Sequence, residues 1–183
     1  IGKDICDKLE KLGVNFSLGE NYLDVLPKMD LVFRSHGILP FQNPWIGECI
    51  ERGQRVTTEM EVFFKLCPSK IIAVTGSNGK TTTTTLLGSM ISHSGKPFAL
   101  AGNLGISLSR EAELVPSDGL IAAEVSSFQL EFIKSFKPKA AVILNITPDH
   151  LERHHTMEAY IAAKARIFEN MDQSDCLLLN AES

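Results

Sequence analysis

No C-x-x-C pair occurs in this chain. Its four cysteines, Cys6, Cys49, Cys67 and Cys176, lie far apart, a pattern that favours free thiols in a reducing cytosol over a metal or disulfide framework. Basic charge is not in excess. Eighteen Lys and Arg face 22 Asp and Glu, a net charge of -4, without the basic surplus of a dedicated nucleic-acid binder. No apolar run is long enough to span a bilayer, and neither a signal peptide nor a basic amphipathic anchor is expected. Neither nucleic acid nor membrane is expected as a partner, and the expected location is the cytoplasm. No internal repeat is visible, and the only biased tract is Thr81–Thr85, which a helix can absorb. What the chain does have is 183 residues, 44% of them apolar, enough to build a core in one large domain or two small ones.

The order of apolar and turn-forming residues predicts an α/β fold, a mostly parallel sheet with helices on both faces. Residues 1–68 read as a truncated α/β domain with a small parallel sheet. Its elements are a helix over Asp4–Leu12, strands over Val14–Leu18, Leu31–Arg34 and Gln54–Thr57, and helices over Pro44–Arg52 and Thr58–Leu66. Thr58 is the expected N-cap of the last helix, with Glu61 its capping-box partner. The boundary is expected at Cys67-Pro68-Ser69. Residues 69–183 repeat the rhythm more strongly, with strands over Lys70–Thr75, Phe98–Ala101, Leu120–Val125, Ala140–Ile146 and Cys176–Asn180. Helices are expected over Lys80–His93, Ser127–Ile133 and Thr156–Asn170. Near-continuous apolar strands indicate a sheet covered on both faces, and ligands of such sheets gather at the carboxyl ends of the strands. The opening at Ile1 without an initiator Met, and the stop soon after the apolar run 176–179, lead us to expect a piece of a longer protein.

The richest stretch is Ile71-Ile72-Ala73-Val74-Thr75-Gly76-Ser77-Asn78-Gly79-Lys80-Thr81-Thr82. A buried strand runs into a small-residue loop that ends in Lys-Thr-Thr at the start of a helix. Glycines let several backbone N–H groups turn toward one anion, and the helix N-terminus adds unpaired donors and partial positive charge. Lys80 supplies a point charge for terminal phosphates, and the Thr81 hydroxyl suits Mg²⁺. The strict phosphate-loop pattern places Gly where this chain has Val74, so the shorter Thr-Gly-x-x-Gly-Lys-Thr form is carried by its strand and helix context.

Downstream polar residues fall at the ends of the other strands. Glu124 ends a buried strand and reads either as a metal-holding acid or as a carboxylate paired at the sheet edge. Thr147-Pro148-Asp149-His150 forms a turn in which His150 reads as a ligand or as a structural, hydrogen-bonded residue. In Thr156–Phe168, helical spacing puts Lys164 near the apolar side with Tyr160 and Ile167. It is either a snorkelling lysine or an amine whose pKa is depressed enough to react.

These motifs, in this order, resemble the Mur ligase family. Thr-Gly-Ser-Asn-Gly-Lys-Thr-Thr (75–82) resembles its ATP loop, and Ala-Gly-Asn-Leu-Gly (101–105) its Gly-Asn-x-Gly substrate loop. Glu-Val-Ser-Ser-Phe-Gln-Leu-Glu (124–131) is the segment most typical of the D-glutamate-adding member. Asn-Ile-Thr-Pro-Asp-His-Leu-Glu-Arg-His (145–154) and Tyr-Ile-Ala-Ala-Lys-Ala-Arg-Ile-Phe (160–168) complete the set.

The resemblance implies an ATP-dependent amide-bond-forming ligase of peptidoglycan precursor synthesis. It would add D-glutamate to UDP-N-acetylmuramoyl-L-alanine through an acyl phosphate, as a monomer, with ATP and two Mg²⁺ ions as cofactors. ATP would be held by Gly76, Ser77, Asn78, Gly79, Lys80, Thr81 and Thr82. Metal would be held by Thr81, Glu124, His150 and a carbamylated Lys164. Lys80, His150 and Lys164 would be the catalytic residues. Ser35, Gly37, Asn103, Ser126 and Gln129 would contact the sugar nucleotide. Ser35-His36-Gly37-Ile38 is similar to the family's Ser-Pro-Gly-Ile loop, with His36 in place of Pro. Residues 1–68 would then be a truncated UDP-substrate domain and 69–183 the first part of the ATP-binding domain. The C-terminal domain would be absent, and the chain alone is expected to have no ligase activity. The alternatives are another Mur or folylpolyglutamate-synthetase-type ligase, or a non-catalytic nucleotide-binding module.

Overall fold

A computed structural model describes residues 3–38, 44–104 and 106–181. Of the expected features, Gly105 of the loop 101–105 lies outside the described residues. By contact the chain divides into two units, residues 1–32 with 39–56 and residues 33–38 with 57–183.

The first unit holds α1 (Lys3–Lys11), a 3-10 turn at Leu26–Lys28 and α2 (Pro44–Glu51), which buries Ile46 and Cys49. The Gln54 side chain closes the turn by donating to the carbonyls of Leu26 (2.8 Å) and Met29 (2.7 Å). The expected sheet of residues 1–68 is a pair, β1 (Leu31–Phe33) beside β2 (Arg55–Thr57). The strand expected at Val14–Leu18 does not form. That segment alternates polar and apolar residues, but Val14 and Leu18 stay exposed, and alternation without a sheet to pair with buries nothing.

By contact, α3 (Glu59–Leu66) belongs with the larger unit. The sheet follows: β3 (Lys70–Thr75), β4 (Phe98–Gly102), β5 (Leu120–Glu124), β6 (Ala140–Ile143) and β7 (Cys176–Leu179), in the order β4-β5-β3-β6-β7 and parallel throughout. Helices α4 (Lys80–His93), α5 (Leu108–Ala112), α6 (Ser127–Leu130), α7 (Leu151–His154) and α8 (Met157–Ala165) complete the unit. The α/β class and the mostly parallel sheet are as the sequence implied. The helix expected over Thr156–Asn170 ends at Ala165 and tightens into a 3-10 turn at Arg166–Phe168, while α5 and α7 are short helices that periodicity did not reveal.

Every strand of this sheet except the edge strand β7 buries small or β-branched apolar residues, in β3 and β5 on both faces. Ala73, Val74, Ile121, Ala122, Ala123 and Ala141 are fully buried. Alanines let α4 lie close on the sheet. The helix presents Thr84, Gly88 and Ile91 at spacings of four and three, and a Cβ at Gly88 would come within 2.5 Å of Leu100.

The capping box expected at Thr58 and Glu61 does not form. Thr58 is extended, as an N-cap should be, but its hydroxyl makes no cap bond. Glu61 points instead into the protein, where its carboxylate accepts from the amides of Lys134, Ser135 and Phe136 at 2.8, 2.9 and 2.9 Å and from the Ser135 hydroxyl at 2.5 Å. Burial by itself raises this carboxyl's pKa, but the Ser135 hydroxyl and the three amides together outweigh it and hold the group below its ordinary value. A tertiary partner set of four donors outcompetes one local amide.

Because the folded pKa is depressed, the Glu61 contribution is fully present above the unfolded pKa and is lost as pH falls through the folded one. Glu61→Ala strands buried amide donors and is expected to cost about 2–4 kcal/mol. Urea denaturation at neutral pH and again near the acid limit checks both points. The variant's deficit should shrink on acidification, and a pH-independent deficit would assign the loss to packing alone.

Candidate functional site

Parallel pairing stops four strands at one edge. Val74 stands opposite Glu124, Gly102 opposite Glu124, and Thr75 opposite Ile143. The phosphate-type loop leaves β3 at this edge and enters α4 through Gly79, whose φ of 82° is left-handed and suits glycine. The loop is fastened to the segment after β6. The Ser77 amide donates to the Asn145 carbonyl and the Asn78 amide to Asn145 Oδ1, both at 2.9 Å, while Asn145 Nδ2 returns a bond to the Asn78 carbonyl at 3.1 Å. Ser77 Oγ lies 3.0 Å from the carbonyl and 3.0 Å from the amide of Thr147, and 3.1 Å from the Tyr160 hydroxyl. Two loop amides are therefore committed to Asn145, and the first-turn amides of α4, including those of Thr81 and exposed Thr82, have no intrahelical acceptor.

Two lysines far apart in sequence meet at this loop. Lys80 Nζ donates to the carbonyls of Gly76 (2.8 Å) and Ser77 (2.9 Å), and Lys164 Nζ donates to the same Gly76 carbonyl (3.0 Å). Lys164 does not snorkel. It is 2% exposed, and its ammonium lies 4.6 Å from the Tyr160 ring centroid. Burial chiefly, and the Lys80 charge next, pull its pKa down to about 8, against the attraction of Asp149. Burial pushes the Tyr160 hydroxyl the other way, above its ordinary value.

Glu124, 1% exposed, is not paired to a cation at the sheet edge. Oε2 accepts from Thr81 Oγ1 at 2.7 Å and Oε1 from Asn103 Nδ2 at 3.0 Å. Its backbone carbonyl accepts from the Asn103 amide at 3.1 Å. A Cβ at Gly102 would stand 2.1 Å from that carbonyl, so only glycine allows β4 to end here. Among the described residues no three His, Cys, Asp or Glu side chains cluster as a metal site. The oxygen pair of Thr81 and Glu124 nevertheless suits Mg²⁺, which takes one or two protein oxygens and completes its shell with phosphate and water.

The remaining candidates lie on neighbouring turns. Ser126 and Gln129 form a reciprocal capping box at α6: the Ser126 amide donates to Gln129 Oε1 at 2.9 Å, and the Gln129 amide to Ser126 Oγ at 3.3 Å. Ser35 Oγ accepts from the Gly37 amide at 3.3 Å. Ser35 and Gln129 line one cavity of about 290 Å³, with Arg34, Thr58 and Met60 among its walls. His150, at a left-handed φ of 53°, caps α7, half-exposed beside Asp149 (3.6 Å), Glu152 (3.4 Å) and the Phe128 ring (4.8 Å between centroids).

His154, Glu131 and Arg153 were not among the expected site residues. His154 is buried, 3.0 Å from Ser127 Oγ, and burial holds its imidazole below the ordinary value despite Glu131. The only sequence signal for them was their place within the fourth and third motifs.

The chain is matched by the Mur ligase middle domain over residues 74–183. The UDP-N-acetylmuramoylalanine--D-glutamate ligase of Acetivibrio thermocellus is 42% identical over 181 residues, which are 99% of this chain and 38% of that protein. The same-named ligase of Desulfitobacterium hafniense (strain DCB-2) is 48% identical over 151 residues, 82% of this chain and 33% of its own length. The chain thus spans little more than a third of the curated relatives it matches. In fold it is similar to the UDP-N-acetylmuramate:L-alanyl-gamma-D-glutamyl-meso-diaminopimelate ligase of Neisseria meningitides, with a TM-score of 0.63 and 16% identity over 100% of this chain and 62% of that one. It also resembles a UDP-N-acetylmuramoyl-L-alanyl-D-glutamate--2,6-diaminopimelate ligase, with a TM-score of 0.52 and 23% identity over 86% of this chain and 42% of that one. The loop-bearing parallel sheet is therefore the sheet of a known kind of protein, and this chain belongs to the Mur ligase family.

Proposed function

We propose that this chain is the nucleotide-handling part of a ligase that joins D-glutamate to UDP-N-acetylmuramoyl-L-alanine at the expense of ATP. The carrying observation is the meeting of Lys80 and Lys164 on the single carbonyl of Gly76. Two ammonium groups sharing one neutral acceptor repel each other, and a polyphosphate relieves that repulsion. The D-glutamate acceptor is supported by relatives of 42–48% identity that bear that name.

In this reading the loop and the first turn of α4 cradle the ATP phosphates. The substrate carboxylate attacks the γ-phosphorus, ADP leaves, and an acyl phosphate forms. The D-glutamate amine then adds to the acyl carbon, and phosphate departs from the tetrahedral intermediate as the amine loses its proton. Each step brings anions together, so the site must supply positive charge and fixed dipoles. Lys80 supplies the charge at the terminal phosphates, released from the Gly76 and Ser77 carbonyls it now satisfies. Thr81 and Glu124 would hold one Mg²⁺, which when bound neutralises phosphate charge. His150 and Lys164 would serve a second ion.

A neutral, buried lysine amine adds CO₂ to become a carbamate, exchanging an ammonium that repels a cation for two oxygens that bind one. The small-molecule contacts Ser35, Gly37, Asn103, Ser126 and Gln129 would receive the sugar nucleotide. Residues 1–68 would belong to its domain and 69–183 to the ATP domain. We expect a cytoplasmic monomer. Among the described residues no helix is long and apolar enough to cross a membrane.

Calorimetry of Mg-ATP binding to the full-length protein tests the loop. Lys80→Ala should weaken binding about 10–100-fold, the worth of one charge-assisted phosphate contact, and equal affinity in both proteins would remove Lys80 from the phosphate site.

The carbamate has its own signature. Equilibration with ¹³C-bicarbonate should give a carbamate carbon resonance in the wild type that is missing in Lys164→Arg. Its absence from the wild type favours the reading of a non-catalytic nucleotide-binding module.

A further inference from the structure

Just past α6, Glu131 is the meeting point of three potentially cationic side chains. Arg153 grips it with a fork, Nε to Oε1 at 2.9 Å and Nη2 to Oε2 at 2.7 Å. His154 Nδ1 stands 3.8 Å and Arg34 Nη2 4.0 Å away. The fork is largely withdrawn from water, the two side chains being 10% and 15% exposed. Arg153 makes two further contacts. Nη2 donates to the His36 carbonyl at 2.7 Å, and the guanidinium carbon lies 4.1 Å from the centroid of the Phe128 ring. Phe128 in turn packs on His150 at 4.8 Å and stacks on His154 at 5.6 Å.

One guanidinium on α7 thus binds α6 and the Ser35–Gly37 loop at once. These segments carry three groups of candidate residues: Ser126 with Gln129, Ser35 with Gly37, and His150. Arg153 reaches each group through an immediate neighbour: Phe128 and Glu131 for the first, His36 for the second, and its own helix for the third. Its planar fork satisfies two carboxylate oxygens while one nitrogen also serves a carbonyl, a geometry that a lysine ammonium cannot reproduce. By contrast, the phosphate loop is fastened chiefly by Asn145, Thr147 and Glu124; it meets the Glu131 cluster indirectly, through Tyr160, whose hydroxyl lies 3.1 Å from Ser77 Oγ and whose ring lies 5.2 Å from that of His154.

We propose that Arg153, gripping Glu131, is a positioning residue that sets the register of the sugar-nucleotide contacts against His150 and leaves the ATP loop alone. The inference rests on the ligase reading above for the identity of the substrate. It also predicts a split that a merely structural arginine does not produce.

The test uses the full-length enzyme with Arg153→Lys and Glu131→Gln. KM and calorimetric Kd are measured for UDP-N-acetylmuramoyl-L-alanine and for Mg-ATP, with melting temperature alongside. Both variants should weaken the sugar nucleotide about tenfold or more and leave ATP within about twofold, with the fold retained. In the 183-residue chain the imidazole proton resonances of His150 should shift in both variants, since the Phe128 ring current acts on them.

Parallel loss of both ligands, or unchanged sugar-nucleotide affinity, overturns the proposal. So does unfolding of both variants, which would assign the pair to stability. A wild type that binds the sugar nucleotide but does not turn over with D-glutamate sinks the ligase reading alone, because the binding split still decides the role of Arg153.

Discussion

Parallel register is the constraint from which the candidate site follows. Because β3, β5 and β4 end level with one another, Val74, Glu124 and Gly102 stand side by side, and whatever leaves those strands must share a small space. The sheet edge is therefore crowded with backbone. Glycine at 102 is the condition for that crowding, since any side chain there would overlap the Glu124 carbonyl. Glu124 converts proximity into attachment by holding Thr81 of α4 and Asn103 of the β4 loop on its two oxygens. Buried carboxylates are tolerated only when hydrogen-bonded, and this one is.

Charge is distributed unevenly around that edge. The loop gathers Lys80 and Lys164 on one carbonyl, and the depressed pKa of Lys164 records both its burial and the nearness of Lys80. Glu124 is satisfied by neutral donors, not by either lysine. The arrangement thus keeps its positive groups apart from its buried acid. Metal and nucleotide chemistry need that separation, which a closed internal salt bridge would cancel.

A second carboxylate, Glu131, governs the neighbouring turns by the opposite means. It is wrapped by Arg153, with His154 and Arg34 close by, and it draws α6, α7 and the Ser35–Gly37 loop into one cluster over the Phe128 ring. Glu61 does the same for α3 and the segment 134–136 with three backbone amides and the Ser135 hydroxyl. Three acids, Glu124 and Glu61 buried and Glu131 half-buried, thus anchor three different junctions, each with a different chief partner: hydroxyl and amide side chains, backbone N–H, and guanidinium.

The strands, the loop between β3 and α4, and the face of α8 were legible in the sequence because their signals are local. Apolar runs, loop glycines before Lys-Thr, and helical spacing of Tyr160, Lys164 and Ile167 each need only a few adjacent residues. The capping box at Thr58 and the strand at Val14–Leu18 were local readings too, and they failed where distance intervened: Glu61 found stronger donors some 75 residues away, and Val14–Leu18 had no sheet to join. Only the tertiary structure could decide that Lys164 ends on the carbonyl of Gly76, that Asn145 takes up two loop amides, and that Arg153 spans α6 and the Ser35 loop. Such contacts depend on strand order and register, properties of the assembled sheet that no short window of sequence contains.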